Sequence, residues 1–283
     1  MRLLRKYARL LLILISSFTI SVSYAQTAEQ AFAFANQQYK IGNIDVAAAA
    51  YHRIAFFDST GYKAFCLHQL AEIAYTKKNY YSAIQYYQEA NFSEQKDSLY
   101  NENILGVVYS YIMLSNYDFA LANLAIIEDI HSQYLLNRTA LLYGYCYFEL
   151  GFYKEAQRYF LLSTKDSIVG ANIRYIFADT ALLSKPKEKT ARLLSAFVPG
   201  AGQVYAGDLK NGINSFLLIG GFSYIMIISS ATYGIGNALV LVSPWLLRYY
   251  MGGIKKAGHI SGVKKSYNKE KVKQRILKAV YSS

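Results

Sequence analysis

The residues of this chain with the most suggestive spacing for chemistry are three glycines, Gly200, Gly202 and Gly207, in the run Pro199-Gly200-Ala201-Gly202-Gln203-Val204-Tyr205-Ala206-Gly207. Glycines so placed can cradle phosphate, but the pattern fails where it matters. Tyr205 stands where a dinucleotide fingerprint needs its third glycine, no strand precedes the run, and no Gly-Lys-Ser/Thr follows it. The histidines, His52, His68, His131 and His259, lack the spacing of metal ligands. Serine and histidine occur without a nucleophile elbow or a zinc-protease motif. Nothing here motivates a catalytic residue, a metal or a cofactor, so the chain reads as a binding protein and not as an enzyme.

The elements that must position any binding surface announce themselves by repetition. GFYKEAQRYF from Gly151 is preceded by GNIDVAAAAY from Gly42, KNYYSAIQYY from Lys78 and SNYDFALANL from Ser115. Each is a short turn followed by an alanine and, four residues on, a large side chain. The alanines are Ala47, Ala83, Ala120 and Ala156, in steps of 36, 37 and 36 residues, a period that marks stacked supersecondary units. About twelve positions earlier stand small or slim residues, Ala35, Ala71, Val108 and Gly144, which let one helix of a pair lie close against the other.

Over roughly residues 28–165 the chain therefore resembles the tetratricopeptide repeat family, with LLYGYCYFELGFYKEAQRYFLLS as its best copy. The steps exceed the family's usual 34 residues, and the proline usual after each second helix is missing. The resemblance implies an all-α fold, a tetratricopeptide-like helical-hairpin solenoid, whose first helices line a concave wall. Carried over, that wall comprises Phe32, Asn36 and Tyr39; His68, Glu72 and Tyr75; Leu105, Tyr109 and Ile112; and Leu141, Tyr145 and Phe148. It is aromatic and nearly uncharged, which suits a partly apolar peptide or a helix of a partner protein. The alternative is that these side chains pack against the protein's own cap or membrane module. The cap is expected over 166–184, N-capped by Asp166 or Ser167, with Ile168, Ala171, Ile176 and Leu183 at helical spacing. Cys66 and Cys146 fall two units apart in a stack where each unit touches its neighbours, so they are expected to be buried thiols and not a disulfide.

Charge and hydropathy place the rest. The net charge of +12 is concentrated at the two ends of the chain, which leaves no basic face for nucleic acid in the body. Residues 1–25 join a basic start to an apolar run and end Ser23-Tyr24-Ala25, the form of a signal peptide. An uncleaved anchor is the alternative. The repeat domain is expected over 27–184, a charged break at 185–189, a membrane module over 190–253 and a basic tail over 254–283. Within the module, 213–232 and 235–251 are candidate spans, a transmembrane helical hairpin.

The module resembles uncharacterised bacterial membrane domains in which Pro-Gly-x-Gly-Gln-x-Tyr-x-Gly precedes a helical hairpin and Arg-Tyr-Tyr-x-Gly follows. Here those are Pro199, Gly200, Gly202, Gln203, Tyr205 and Gly207, then Arg248, Tyr249, Tyr250 and Gly252. The family carries no known activity; the glycines suggest a re-entrant or interfacial turn, with Gln203 and Tyr205 offering polar ends. The tail is expected to meet anionic headgroups. The whole reads as a scaffold of the bacterial cell envelope, anchored in the inner membrane with periplasmic repeats. The alternative function makes the membrane module the active part in membrane assembly or transport, with the repeats recruiting clients. A conflict remains: a signal peptide followed by two spans leaves the basic tail outside, against the preference of positive charge for the cytoplasm.

Overall fold

The computed structural model describes residues 27–57, 61–92, 98–127, 132–178 and 181–281. The candidate signal segment lies outside the described residues. Every regular element among those described is a helix. The chain divides into two compact units, residues 1–130 and 131–283.

The first unit contains α1 (Ala28–Lys40), α2 (Ile44–Phe57), α3 (Lys63–Thr76), α4 (Tyr80–Ala90), α5 (Ser98–Met113) and α6 (Tyr117–Leu124). Each helix packs on the next. Thr27 begins α1 through a capping box with Gln30, which satisfies donors that the first turn leaves unpaired. The second unit contains α7 (Gln133–Leu150), α8 (Tyr153–Leu162), α9 (Ser167–Ala178), α10 (Ala181–Ser184), α11 (Glu188–Phe197), α12 (Ala201–Tyr205), α13 (Leu209–Tyr233) and α14 (Ile235–Tyr281).

The periodic residues sit where their spacing requires. Ala35, Ala71 and Val108 on the first helices and Ala47, Ala83, Ala120 and Ala156 on the second are all fully buried. So are the large residues four further on, Tyr51, Tyr87, Leu124 and Phe160. Gly144 lies so close to the Phe160 ring that a Cβ would approach it to 2.9 Å. The sequence reading passed over Gly106, where a Cβ would come within 2.3 Å of Tyr87.

The four turns are also alike. Gly42, Lys78, Ser115 and Gly151 all have positive φ, 85°, 61°, 58° and 87°. In each, the following amide donates to a carbonyl five residues back, Asn43 to Gln38, Asn79 to Ala74, Asn116 to Tyr111 and Phe152 to Tyr147. That is the Schellman ending of a helix, which favours glycine at the left-handed position.

In the second unit α9 starts at Asp166, whose carboxylate accepts from the amides of Ile168 (2.7 Å) and Val169 (3.4 Å). Its buried face is Val169, Ile173, Ile176 and Phe177, joined by Leu183 of α10. Ile168 and Ala171, expected inward, are exposed, because the stripe that meets α8 and α14 is set one position further along the helix. The larger difference is α14. The candidate span 235–251 and the basic tail are one helix of 47 residues with Pro244 inside it, and it packs on α9, α10, α11, α12 and α13. This is why the fourth helix pair groups with everything C-terminal to it, across the charged break at 185–189.

α13, 25 residues with a mean hydropathy of 1.6 over its most apolar stretch, is long and apolar enough to cross a membrane, and almost none of that stretch is buried within the protein. The start of α14 does not reach the same hydropathy, since Asn237, Ser243, Pro244 and Arg248 interrupt its apolar run. Contacts from Asn211–Lys256 through Ser215–Gly253 to Phe222–Tyr249 show that α13 and α14 run antiparallel.

A left-handed backbone costs a residue with a Cβ about 1–2 kcal/mol. Lys78→Gly and Ser115→Gly are therefore each expected to stabilise the chain by about 1 kcal/mol and raise its Tm by a few degrees, whereas Gly42→Ala or Gly151→Ala lowers it. Thermal unfolding of the four variants checks this.

Candidate functional site

Two places collect the residues singled out from the sequence: the expected wall and the glycine motif. On the wall, several polar side chains already bond within the fold. Asn36 accepts the Tyr51 hydroxyl at 2.6 Å, and Glu72 accepts that of Tyr87 at the matching position one unit later. His68 Nδ1 and Asn103 Oδ1 lie 2.7 Å apart. Phe32 stacks on Tyr62 at 4.8 Å and meets Phe65 edge-on at 5.2 Å, and Tyr75 meets Tyr80 edge-on at 5.4 Å. Phe32, Tyr39, Tyr75, Tyr109 and Ile112 are half-buried, with part of each surface open.

Two expected wall residues do not face outward. Leu105 is fully buried, because α5 is apolar on more of its circumference than a wall helix would be, with Ile104, Val107 and Val108 equally enclosed. Phe148 is fully buried as well, in a core with Phe160, Ile173, Phe177, Val272 and Ile276, against which Leu141 and Tyr145 also pack. Val272 and Ile276 belong to α14. On the fourth pair, then, the protein covers this surface with its own C-terminal helix.

Charge fixes that cover in register. Glu149 receives Lys269 at 2.7 Å and Lys273 at 2.9 Å, and Lys273 also reaches Glu270 at 2.7 Å. The two ammonium groups lie over aromatic rings, Lys269 over Phe148 at 5.8 Å and Lys273 over Tyr145 at 5.7 Å. Burial works to raise the Glu149 carboxyl, but the hydrogen bonds from Lys269 and Lys273 outweigh it and hold it below its ordinary value. Burial works to lower Lys273, yet its bonds to Glu270 and Glu149 carry it above the ordinary lysine value. Glu149 escaped the sequence reading; a carboxylate on an otherwise aromatic face was the available signal. Cys66 and Cys146 are buried and form no disulfide, and burial pushes the Cys146 thiol up to about 12.

The glycine motif is a packing knot. Gly200 is left-handed, and a Cβ there would stand 2.1 Å from the Gly212 carbonyl oxygen. One on Gly202 would stand 1.9 Å from that of Ala191. Only glycines allow α11, α12 and α13 to approach this closely. Gln203, expected to offer a polar end at an interface, has no exposed surface. Its Oε1 accepts from Ser195 at 2.9 Å and its Nε2 donates to the Gly253 carbonyl at 3.1 Å, and the Gly202 amide donates to the same Ser195 hydroxyl at 3.0 Å. A buried amide must be paired in this way, or its desolvation goes uncompensated. The Tyr205 hydroxyl accepts from the Lys187 amide at 3.3 Å.

The second half of the motif meets the first. Tyr250 donates to the Ala196 carbonyl at 2.6 Å, Tyr249 stacks on Phe222 at 5.1 Å, and Arg248 lies over Trp245 at 6.0 Å. Gly207 ends α12 with positive φ, Pro199 precedes the turn, and Gly252 is open to solvent. Ser195, Gly212 and Gly253 were not read from the sequence, though Gly253 directly follows the motif glycine. Around the base of α13 and α14 stand Lys210, Lys255, Lys256 and His259, lining shallow grooves of about 740 and 500 Å³ and a narrower one of about 370 Å³. No cluster of three metal-ligating side chains occurs among the described residues. Comparison with protein-family models, with curated proteins and with solved structures returned no match.

The Glu149 cluster is expected to make the docking of α14 pH-dependent. A carboxyl held below its ordinary 4.5 stabilises the fold fully above that pH, and the stabilisation is lost as the pH falls through the depressed value. At the alkaline end the contribution of Lys273 persists below its ordinary 10.5 and is lost only as the pH rises past its raised value. Glu149→Gln, which leaves Lys273 with Glu270 alone and Lys269 with the residue 149 backbone carbonyl alone, destabilises the docking by about 2 kcal/mol. Hydrogen exchange of residues 265–281 in the full chain, expressed as protection relative to the intrinsic rate at each pH, checks both: protection falls at low pH in the wild type, and is already reduced at neutral pH in the variant.

Proposed function

We propose that this chain is a membrane-anchored, tetratricopeptide-type scaffold of the bacterial cell envelope, exported through residues 1–25, whose helix-pair array binds a protein or peptide partner. The observation that carries this reading is the contrast between the two units. Tyr75 and Ile112 of the first unit keep open surface, while the matching residue of the fourth pair, Phe148, is fully buried in a core with Val272 and Ile276 of α14, a helix that Lys269 and Lys273 tie to Glu149. The protein's own α14 thus exemplifies the kind of ligand this wall takes: an amphipathic helix with apolar knobs and a basic flank. Charge supports the same partner, since residues 27–130 contain six Lys and Arg against eleven Asp and Glu.

Anchoring rests on α13, its exposed apolar surface and the antiparallel start of α14. Exposed apolar residues run along both helices, among them Phe216, Leu217, Ile225, Ile228, Val240 and Leu241. If the pair inserts by its tip, α14 returns to the side from which α13 entered, and its docking on Glu149 keeps the basic segment with the fourth helix pair. The tail is then a structural helix on the same side as those repeats, which removes the reason for it to follow the positive-inside preference. That side is periplasmic in this reading.

Photo-crosslinking in cells tests the function. A photoreactive residue at Tyr75 or Tyr109 is expected to trap an extracytoplasmic protein, and one at Tyr81, on an exposed face of α4, is expected to trap none. Crosslinks formed from Leu217 and Leu241 but from neither wall position would favour the membrane module as the active part.

A further inference from the structure

The motif residues Arg248 and Gly252 are not absorbed by the knot around Gln203, and their spacing has a use. Arg248, Gly252 and Lys256 follow one another at intervals of four on α14, so they share one face. Gly252 provides a gap between two cations: a Cβ there would meet nothing within 4 Å. Opposite, Asn211, Asn214 and Ser215 of α13 complete a groove of about 370 Å³, with buried Gln203 in its lining. Lys256 is held at its edge by donating to Asn211 Oδ1 at 2.5 Å. No carboxylate lines the groove; Asp208, behind Asn211, is committed to the Asn211 amide at 3.0 Å and its side chain at 2.6 Å.

Depth selects the source of the anion. Counting from the turn at Gly234, Arg248 lies about 20 Å and Lys256 about 30 Å along α14, at 1.5 Å per residue. The hydrocarbon core is about 30 Å thick, so a pair inserted by its tip brings the Lys256 end of this groove to the headgroup level and leaves Arg248 below it, where its long side chain reaches up toward the headgroups. Leu218 and Tyr249 border it on the side toward the tip, where an acyl chain would run.

Resting on the membrane reading above, we propose that the groove between α13 and α14 binds the phosphodiester of one anionic phospholipid. Arg248 and Lys256 hold its oxygens, and Asn211 and Asn214 complete the hydrogen bonding. The site lies beside the glycine motif and is separate from the docked basic segment.

The chain carries its own reporter, since Trp245 is its single tryptophan and Arg248 lies over its ring. The full chain is placed in phosphatidylcholine nanodiscs containing increasing phosphatidylglycerol, and Trp245 emission is followed. A saturable change is expected, shifted to on the order of tenfold higher phosphatidylglycerol in Arg248→Gln/Lys256→Gln. Gly252→Leu, which fills the gap and keeps both charges, is expected to abolish it. An identical titration in wild type and both variants overturns the proposal. The same response to inorganic phosphate in pure phosphatidylcholine discs overturns the lipid assignment in favour of a soluble anion. Failure of the chain to enter discs at all overturns the membrane reading, and the lipid site with it.

Discussion

A helix of 47 residues is about 70 Å long, and the second unit is built around the need to keep such a rod supported. α14 begins among apolar residues with exposed surface, passes the paired glycines of the motif, and ends in a segment rich in lysine. Neither half would be stable alone in water: the first exposes too much apolar surface, and the second places like charges on successive turns. Support comes in sequence along its length, from α13 near the tip, from α11 and α12 at the base, and from α7, α9 and α10 at the far end. Each support uses a different interaction. Close glycine approach and one buried amide serve at the base, and an ion-pair cluster over an apolar core serves at the end.

The base is where failure would spread furthest. Gln203 links Ser195 of α11 to the Gly253 carbonyl of α14, so one side chain without solvent access joins the segment before α13 to the helix after it. Removing one partner of a buried pair leaves the other desolvated and unsatisfied, at about 1–3 kcal/mol per group. The surrounding glycines make the same point sterically, because at Gly202 a Cβ would press on backbone that has no flexible end to move aside. This is a reason for the motif that needs no ligand, and it leaves Arg248 and Gly252 as the motif residues whose types the fold itself does not require.

Much of the fold was legible because its signal is periodic. Four alanines in register with four large residues specify close helix pairs, and the left-handed turns at Gly42 and Gly151 are written as glycine. The turns at Lys78 and Ser115 could be placed only by analogy with those two, since their residue types do not ask for a left-handed backbone. What stayed hidden depended on contacts distant in sequence. Phe148 looks like a wall residue until Val272 and Ile276 are laid over it, and a lysine-rich terminus looks like a solvated tail until Glu149 is found to face it. Gln203 reads as an interface residue until its partners, Ser195 and Gly253, close around it from opposite directions. Of the four residues expected to face inward over 166–184, Ile176 and Leu183 are buried while Ile168 and Ala171 are not, because Ile168 and Val169 are equally apolar and the choice between them depends on the neighbouring helices.

The account stands most directly on the continuity of α14 from its pairing with α13 to the fourth helix pair. Spin labels on Met251→Cys and Lys278→Cys, both exposed positions, in the full chain in nanodiscs measure it, since the native cysteines are buried. A continuous helix predicts a narrow distance distribution near 40 Å. A broad distribution centred well below that value would mean that the basic segment leaves the helix, and the docking on Glu149 would then be contradicted.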